Sequence, residues 1–280
     1  MTEPKRRRSS PASSLSLRQA AERLGVHYMT VYRYVRLGML PARKTVGDWR
    51  VEPTDLDHFI APDSAPRSKR SAPWAERLQA RMVAGDEAGS WGVVEAALAA
   101  GMAPADFYGD VLTPVLRAIG DSWQSGELGV DDEHLATGMA LEIIGRLGPR
   151  FARRGRTRGT VVVAMPPGER HLLGVAMVAD ILRSHGYRVL NLGADTPGTA
   201  LIAALARVGD LAAVAVGVVH TGRLGAARSL VDAVHANSFS VPVLAGGAAV
   251  PDRESARRLG ADGWAPDARE VATVIAGLSN

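Results

Sequence analysis

Two of the seven histidines in this chain stand beside carboxylates in ways that suit metal chemistry. His171 lies in Glu169-Arg170-His171-Leu172-Leu173-Gly174, after the apolar run Thr160-Val161-Val162-Val163-Ala164. A carboxylate two residues before an imidazole can hold one ring nitrogen and leave the other for a metal. His134 follows Glu133, which is separated from Trp123 by nine residues, Val130 among them. The other five (His27, His58, His185, His220, His235) fall in no such arrangement. Zinc needs three or four ligands close together, and the sequence around His171 does not supply them. One protein imidazole is enough if the metal arrives in a macrocycle carrying its own equatorial donors. Cobalt in a corrin and iron in a haem both meet that description.

The elements around these residues follow from periodicity. From residue 159 short apolar runs alternate with helical patterns, which predicts strands at 160–164, 187–192, 212–217, 241–245 and 262–265. Such alternation implies an α/β Rossmann-like (flavodoxin-like) domain over 156–280, its parallel sheet covered on both faces. Ligands of such sheets bind at the carboxyl ends of the strands, where His171, Gly217, Gly246 and Gly247 fall. Residues 75–155 carry apolar positions three and four apart, broken at Gly101, Pro104 and Gly126–Gly129, and are expected to form a central four-helix bundle. Trp123 and Glu133-His134 then flank the junction of its last two helices. Residues 61–74, rich in proline and serine, are expected to be a linker.

The front of the chain is basic. Residues 1–75 hold fourteen Lys/Arg against seven Asp/Glu, whereas the rest of the chain nets −3. A polyanion partner therefore belongs at this end. Residues 1–13, with Lys5-Arg6-Arg7-Arg8, are expected to be a disordered basic arm, either touching DNA or simply solvated. Residues 14–60 show a helix–turn–helix order: Ser16 caps a short helix, Gly25 ends it, and a second helix at 29–36 carries Thr30, Tyr32, Arg33 and Arg36. Residues 43–51 then read as a two-stranded wing turning at Gly47-Asp48, with Arg43, Lys44 and Arg50 near a phosphate backbone. Arg18 on the first helix completes the candidate DNA-binding set. A small helical domain with a solvated basic face is the alternative. With no cysteine, disulfides, thiolate zinc sites and cysteine catalysis are excluded. No nucleophile–base pair, P-loop or Gly-x-Gly-x-x-Gly after a strand is present, so no enzymatic activity is expected. The lack of a long apolar run points to a cytoplasmic protein away from membranes.

Leu17-Arg18-Gln19-Ala20-Ala21-Glu22-Arg23-Leu24-Gly25-Val26 and Gly47-Asp48-Trp49-Arg50-Val51 resemble the MerR/excisionase-type winged helix–turn–helix. Glu169-x-His171-x-x-Gly174, with Gly217-Val218-Val219 and Gly246-Gly247, is similar to the cobalamin-binding module of methionine synthases and methylmalonyl-CoA mutases. Together with Trp123…Glu133-His134 in a helical segment, this order of modules resembles the CarH/LitR family of adenosylcobalamin photoreceptor repressors. The resemblance implies adenosylcobalamin as cofactor, or methylcobalamin as the other form, with His171 as lower cobalt ligand and Glu169 behind it. It implies that Gly174, Gly217, Val219, Gly246 and Gly247 admit the nucleotide tail. Trp123, Val130, Glu133 and His134 would meet the adenosyl group. It further implies a homotetramer that binds double-stranded operator DNA in the dark and dissociates in light. Two positions depart from the pattern. Gly217 replaces the usual tail-binding serine. Gln124 replaces the histidine that caps cobalt after photolysis, so a bis-histidine lit state is not expected by that route and an aquo one is. The alternative readings are a light-independent cobalamin-sensing transcription factor and a corrinoid carrier for methyl transfer. The DNA module argues against the carrier.

Overall fold

The computed structural model describes residues 14–36, 40–45, 48–60, 73–153, 155–237 and 239–278. They form two compact units, Met1–Ala72 and Pro73–Asn280. The expected arm at 1–13 and the loop residue Gly47 lie outside the described residues, as does the linker up to residue 72.

In the front unit, β1 (Leu15–Ser16) leads into α1 (Leu17–Leu24), then α2 (Tyr28–Arg36), β2 (Arg43–Thr45), β3 (Asp48–Val51) and α3 (Pro53–Ile60). Ser16 caps α1 by accepting from the Gln19 amide, while the Gln19 side chain accepts from the Ser16 amide. Gly25 closes α1 at φ 65°, a conformation only glycine adopts cheaply. Leu17, Ala20, Ala21, Val31, Val35, Leu40, Val51 and Leu56 make the core. The expected two-stranded hairpin is one strand short. Leu15 and Ser16 pair with Val51 and Arg50, giving the antiparallel order β1-β3-β2. Asp48 belongs to β3 opposite Thr45 and is not a turn residue; residues 46–47 lie outside the described residues.

The second unit opens with helices α4 (Trp74–Val83), α5 (Glu87–Ala99) and the three-residue α6 (Pro104–Asp106). A π-helical segment Phe107–Leu112 joins α6 to α7 (Thr113–Ser125), and α8 (Val130–Leu147) follows. Trp74 is buried at the start of α4, not in a linker, because its ring packs inside the unit. The sequence reading also missed the break between α4 and α5. Gly85 sits at φ 66° and Asp86 caps α5 by accepting from the Gly89 amide.

The α/β part contains β4 (Thr160–Ala164), α9 (Leu172–Ser184), β5 (Arg188–Gly193), α10 (Gly198–Leu205) and β6 (Leu211–Gly217). It continues with α11 (Leu224–Ala236), β7 (Val243–Gly246), α12 (Arg253–Arg258) and α13 (Val271–Leu278). All sheet pairs are parallel, in the order β5-β4-β6-β7. Val162, Ala164, Val214 and Val216 face one apolar core; Val161, Val163, Ala213 and Ala215 face the other. This is why the strands read as unbroken apolar runs. The fifth expected strand, 262–265, is a single bridge between Gly263 and Leu244. Pro266 follows almost at once and has no amide to extend a ladder. Among the described residues no helix is long and apolar enough to cross a membrane.

Candidate cobalamin site and helix–turn–helix surface

The strand order reverses between β4 and β6, the switch point where ligands of such sheets bind. The loop after β4, Met165 to His171, lies there and is tied down from both sides. On the β5 side, the Gly168 amide donates to Asp195 Oδ1 at 2.7 Å, the Asp195 amide to the Glu169 carbonyl at 2.9 Å, and the Thr196 amide to the Met165 carbonyl at 2.9 Å. On the β6 side, Glu169 Oε2 accepts from the amides of Val219 at 2.9 Å and His220 at 2.8 Å. The other oxygen, Oε1, meets His171 Nδ1 and accepts from the Arg170 and His171 amides at 3.1 and 3.4 Å.

Glu169 is only 1% exposed. Burial alone would raise its pKa, but the hydrogen bond from His171 and then the amides of His220, Val219 and His171 outweigh it and hold the carboxyl at about 2. A buried carboxylate with this many donors stays ionised and fixes the ring it touches. His171 therefore has Nδ1 engaged, while its side chain is 59% exposed. That leaves Nε2 as the nitrogen offered outward, as a metal-ligating imidazole requires.

The glycines at the strand ends divide by role. Gly174, in the first turn of α9, and Gly246 have open space where a side chain would stand. Gly217, paired with Gly246 across β6 and β7, has room for a methyl against Met165 at 3.6 Å. Gly247 differs: at φ +106° a Cβ would overlap the Val218 carbonyl, so its lack of a side chain serves the turn. Val219 contributes its amide to Glu169.

In the helical part, Trp123 lies in the last turn of α7 and is 45% exposed, with Gln124 exposed beside it; Val130 opens α8 and is 56% exposed. Glu133 accepts from Thr137 at 2.9 Å, and His134 turns Nδ1 to the Val130 carbonyl at 2.6 Å. Among the described residues, no hydrogen bond or ion pair joins this group to His171 or Glu169. The residues that sequence reasoning missed are Asp195, Thr196 and His220, whose bonds come from loops remote in the chain. Asp195, at φ 51°, is the one non-glycine residue with positive φ among the described residues.

In the front unit, Arg18, Arg36, Arg43 and Lys44 are exposed. Arg50 is half-buried and donates to the Ser14 carbonyl at 3.5 Å. Thr30 is half-buried, and Tyr32 is partly packed on the core and stacks on Tyr28. The side chain of Arg33 lies outside the described residues. Tyr28 and Met29, absent from the sequence-based set, are exposed in the first turn of α2.

Comparison with known proteins agrees with this division. Residues 74–147 and 159–273 match models of a B12 binding domain, and residues 14–63 match a helix-turn-helix domain. The methanol–corrinoid protein of Methanosarcina barkeri is 28% identical over 190 residues, covering 67% of this chain and 73% of that protein. The HTH-type transcriptional repressor CarH of Myxococcus xanthus is 34% identical over 125 residues, covering 44% of this chain and 40% of that repressor. The structure of the Methanosarcina barkeri monomethylamine corrinoid protein superposes with a TM-score of 0.64 at 21% identity, over 72% of this chain and 96% of that one, a likeness of fold. The residues at the switch point fit the group these models name: an anchored imidazole with its outer nitrogen offered, beside glycines that leave room. The chain is a cobalamin-binding protein that also carries a helix–turn–helix domain.

Proposed function

We propose that this protein is a cobalamin-dependent transcription repressor that binds operator DNA as a homotetramer when adenosylcobalamin is bound and releases it on illumination. One observation carries the reading: the Glu169–His171 pair stands at the sheet's switch point in a chain whose front unit is a helix–turn–helix domain. His171 would hold the corrin from below, kept in one tautomer and orientation by Glu169. The exposed side chains of Trp123 and Val130, with Glu133 and His134, would cover the adenosyl group, with helices α4–α8 acting as a capping bundle. Bound adenosylcobalamin supplies a light-labile cobalt–carbon bond. The hairpin of β2 and β3 would act as a wing, setting Arg43 and Lys44 on phosphates while α2 enters the major groove. Four linked readers gain avidity that single ones lack, so assembly alone can switch DNA occupancy.

The second reading is a corrinoid carrier, favoured by the extent of the likeness to the methanol–corrinoid protein, 67% of this chain against 44% for the repressor. Gel filtration of the protein loaded with adenosylcobalamin in the dark, with full-spectrum detection before and after green light, separates these readings when paired with DNA retention. The repressor reading expects a coloured oligomer that retains DNA and shrinks on illumination. A coloured species whose size and DNA binding ignore light supports a light-independent cobalamin sensor. Colour without retention of any duplex supports the carrier.

A further inference from the structure

Helix α2 presents an apolar first turn to solvent in an otherwise cationic setting. Val31 and Val35 are buried and Tyr34 packs on Phe59, which puts positions 29 and 36 on the opposite side and leaves Tyr28 and Tyr32 on the flank between. Met29, on the outer side, is 56% exposed, and Tyr28, on the flank one residue before it, is 40% exposed. Both are held in place. The Tyr28 ring stacks on Tyr32 with centroids 6.4 Å apart, and the Met29 amide donates to His27 Nδ1 at 3.3 Å. The unit's core is complete without them.

The surroundings restrict what covers this turn. Residues 17–36 carry Arg18, Arg23, Arg33 and Arg36 against a single acid, Glu22. The partner must therefore be anionic around the contact and apolar at its centre. A DNA major groove has this character: phosphates line it, and the thymine 5-methyl is the apolar group on its base edges. The second helix of a helix–turn–helix sets its N-terminal residues against those edges.

Resting on the DNA-binding reading above, we propose that Met29 and Tyr28 contact thymine 5-methyl groups, so that thymine is specified where the first turn of α2 meets the operator. The full-length protein, loaded with adenosylcobalamin in the dark, would first be used to select tight-binding duplexes from a randomised pool. Each thymine of a selected duplex is then replaced singly by uracil, which pairs identically and lacks only the methyl. At one or two positions replacement weakens binding about fourfold, the factor corresponding to ~0.8 kcal/mol per buried methyl. Met29→Ala weakens binding to the thymine duplex and erases the penalty at its own position, while Tyr28→Ala erases the penalty at the other. An unchanged circular-dichroism melt confirms that these surface variants fold.

Affinity within twofold after replacing every thymine overturns the inference. So does a Met29→Ala loss equal on thymine and uracil duplexes, or a Met29→Ala change in oligomeric state with the uracil penalty intact. A protein that retains no duplex even at low salt overturns the DNA-binding reading itself, and that outcome is distinct from the others.

Discussion

Glu169 makes the histidine beside it more than a surface imidazole. Its two oxygens gather a ring nitrogen and four backbone amides from two loops, so ring orientation, loop closure and carboxylate charge form one unit. Glu169→Gln puts an NH2 where only acceptors fit. Weakening of that kind behind a metal ligand typically costs 10–100-fold in affinity, roughly the loss of cofactor retention expected here. His171→Ala removes the ligand itself, so visible colour no longer co-elutes with protein in gel filtration. Two glycines give a contrasting pair. Gly247→Ala meets both a positive φ and the Val218 carbonyl and is expected to cost about 1–3 kcal/mol in urea unfolding. Gly217→Ser finds ordinary contact with Met165 and should leave the urea midpoint nearly unchanged. By the resemblance it should also restore a tail hydrogen bond, tightening retention of cobalamin.

Residues 106–110 tie the helical part of the second unit to the α/β part, beside the packing of α8 on α9. The buried Tyr108 hydroxyl donates to Asp180 of α9 at 2.9 Å, and Arg183 closes on the same carboxylate at 2.7 Å. From the other side Arg269 reaches Asp110 at 3.0 Å and Asp106 at 3.5 Å while held by Asp267 at 2.7 Å. Gly109 lets that guanidinium lie against the backbone, since a Cβ there would come within 2.8 Å of its central carbon. Tyr108 and Asp110 fall in the π-helical segment, an irregularity often found where a helix serves a function. Tyr108→Phe leaves a buried carboxylate one partner short and should cost about 1–3 kcal/mol. Arg269→Ala, at a more exposed site, should cost less than about 1 kcal/mol at neutral pH. Asp267 is held below its ordinary pKa chiefly by the Arg269 hydrogen bond, against burial. A depressed carboxylate pKa contributes stability that is present above the unfolded value, about 3.9, and lost as pH falls through the folded one. The urea-midpoint gap between Arg269→Ala and the parent should therefore close as pH drops from 5 toward 3.

At the scale of the molecule, the charge division matches the division of labour. The basic front unit suits DNA, while the rest of the chain, net −3, carries the matches to B12 binding domains. Arg36→Ala tests that separation, because Arg36 is exposed on α2 and belongs to a different unit from His171. It should weaken binding across sequences and lower the slope of log affinity against log salt by about 1. The absorption spectrum of the loaded protein should not change. A changed spectrum would show that the two units do not act separately.

Much of this was legible in residue order. Helix caps such as Ser16 and Gly25 are local, the valines of β4 report burial on both faces, and Glu169-x-His171 is a short-range pair; such features depend on neighbours a few residues away. The third strand at Leu15–Ser16 was not legible, because a two-residue strand has no periodicity of its own. Nor was the α4–α5 break, although Gly85-Asp86 is a turn and cap signal that could have shown it. The expected strand at 262–265 shrank to one bridge because Pro266 stops its ladder. Met29 was absent from the set of outward residues, because only the neighbouring helix and sheet decide which face of α2 is covered. The sequence by itself determined the three domain types, the anchored histidine and the basic front. Only the tertiary structure decided that Val219 and His220, some fifty residues on, donate to Glu169, that Tyr108 and Arg269 join the two parts of the second unit, and which face of α2 is left to solvent. The physical reason is that these depend on parallel strand order and helix packing, which bring together groups that no spacing along the chain relates.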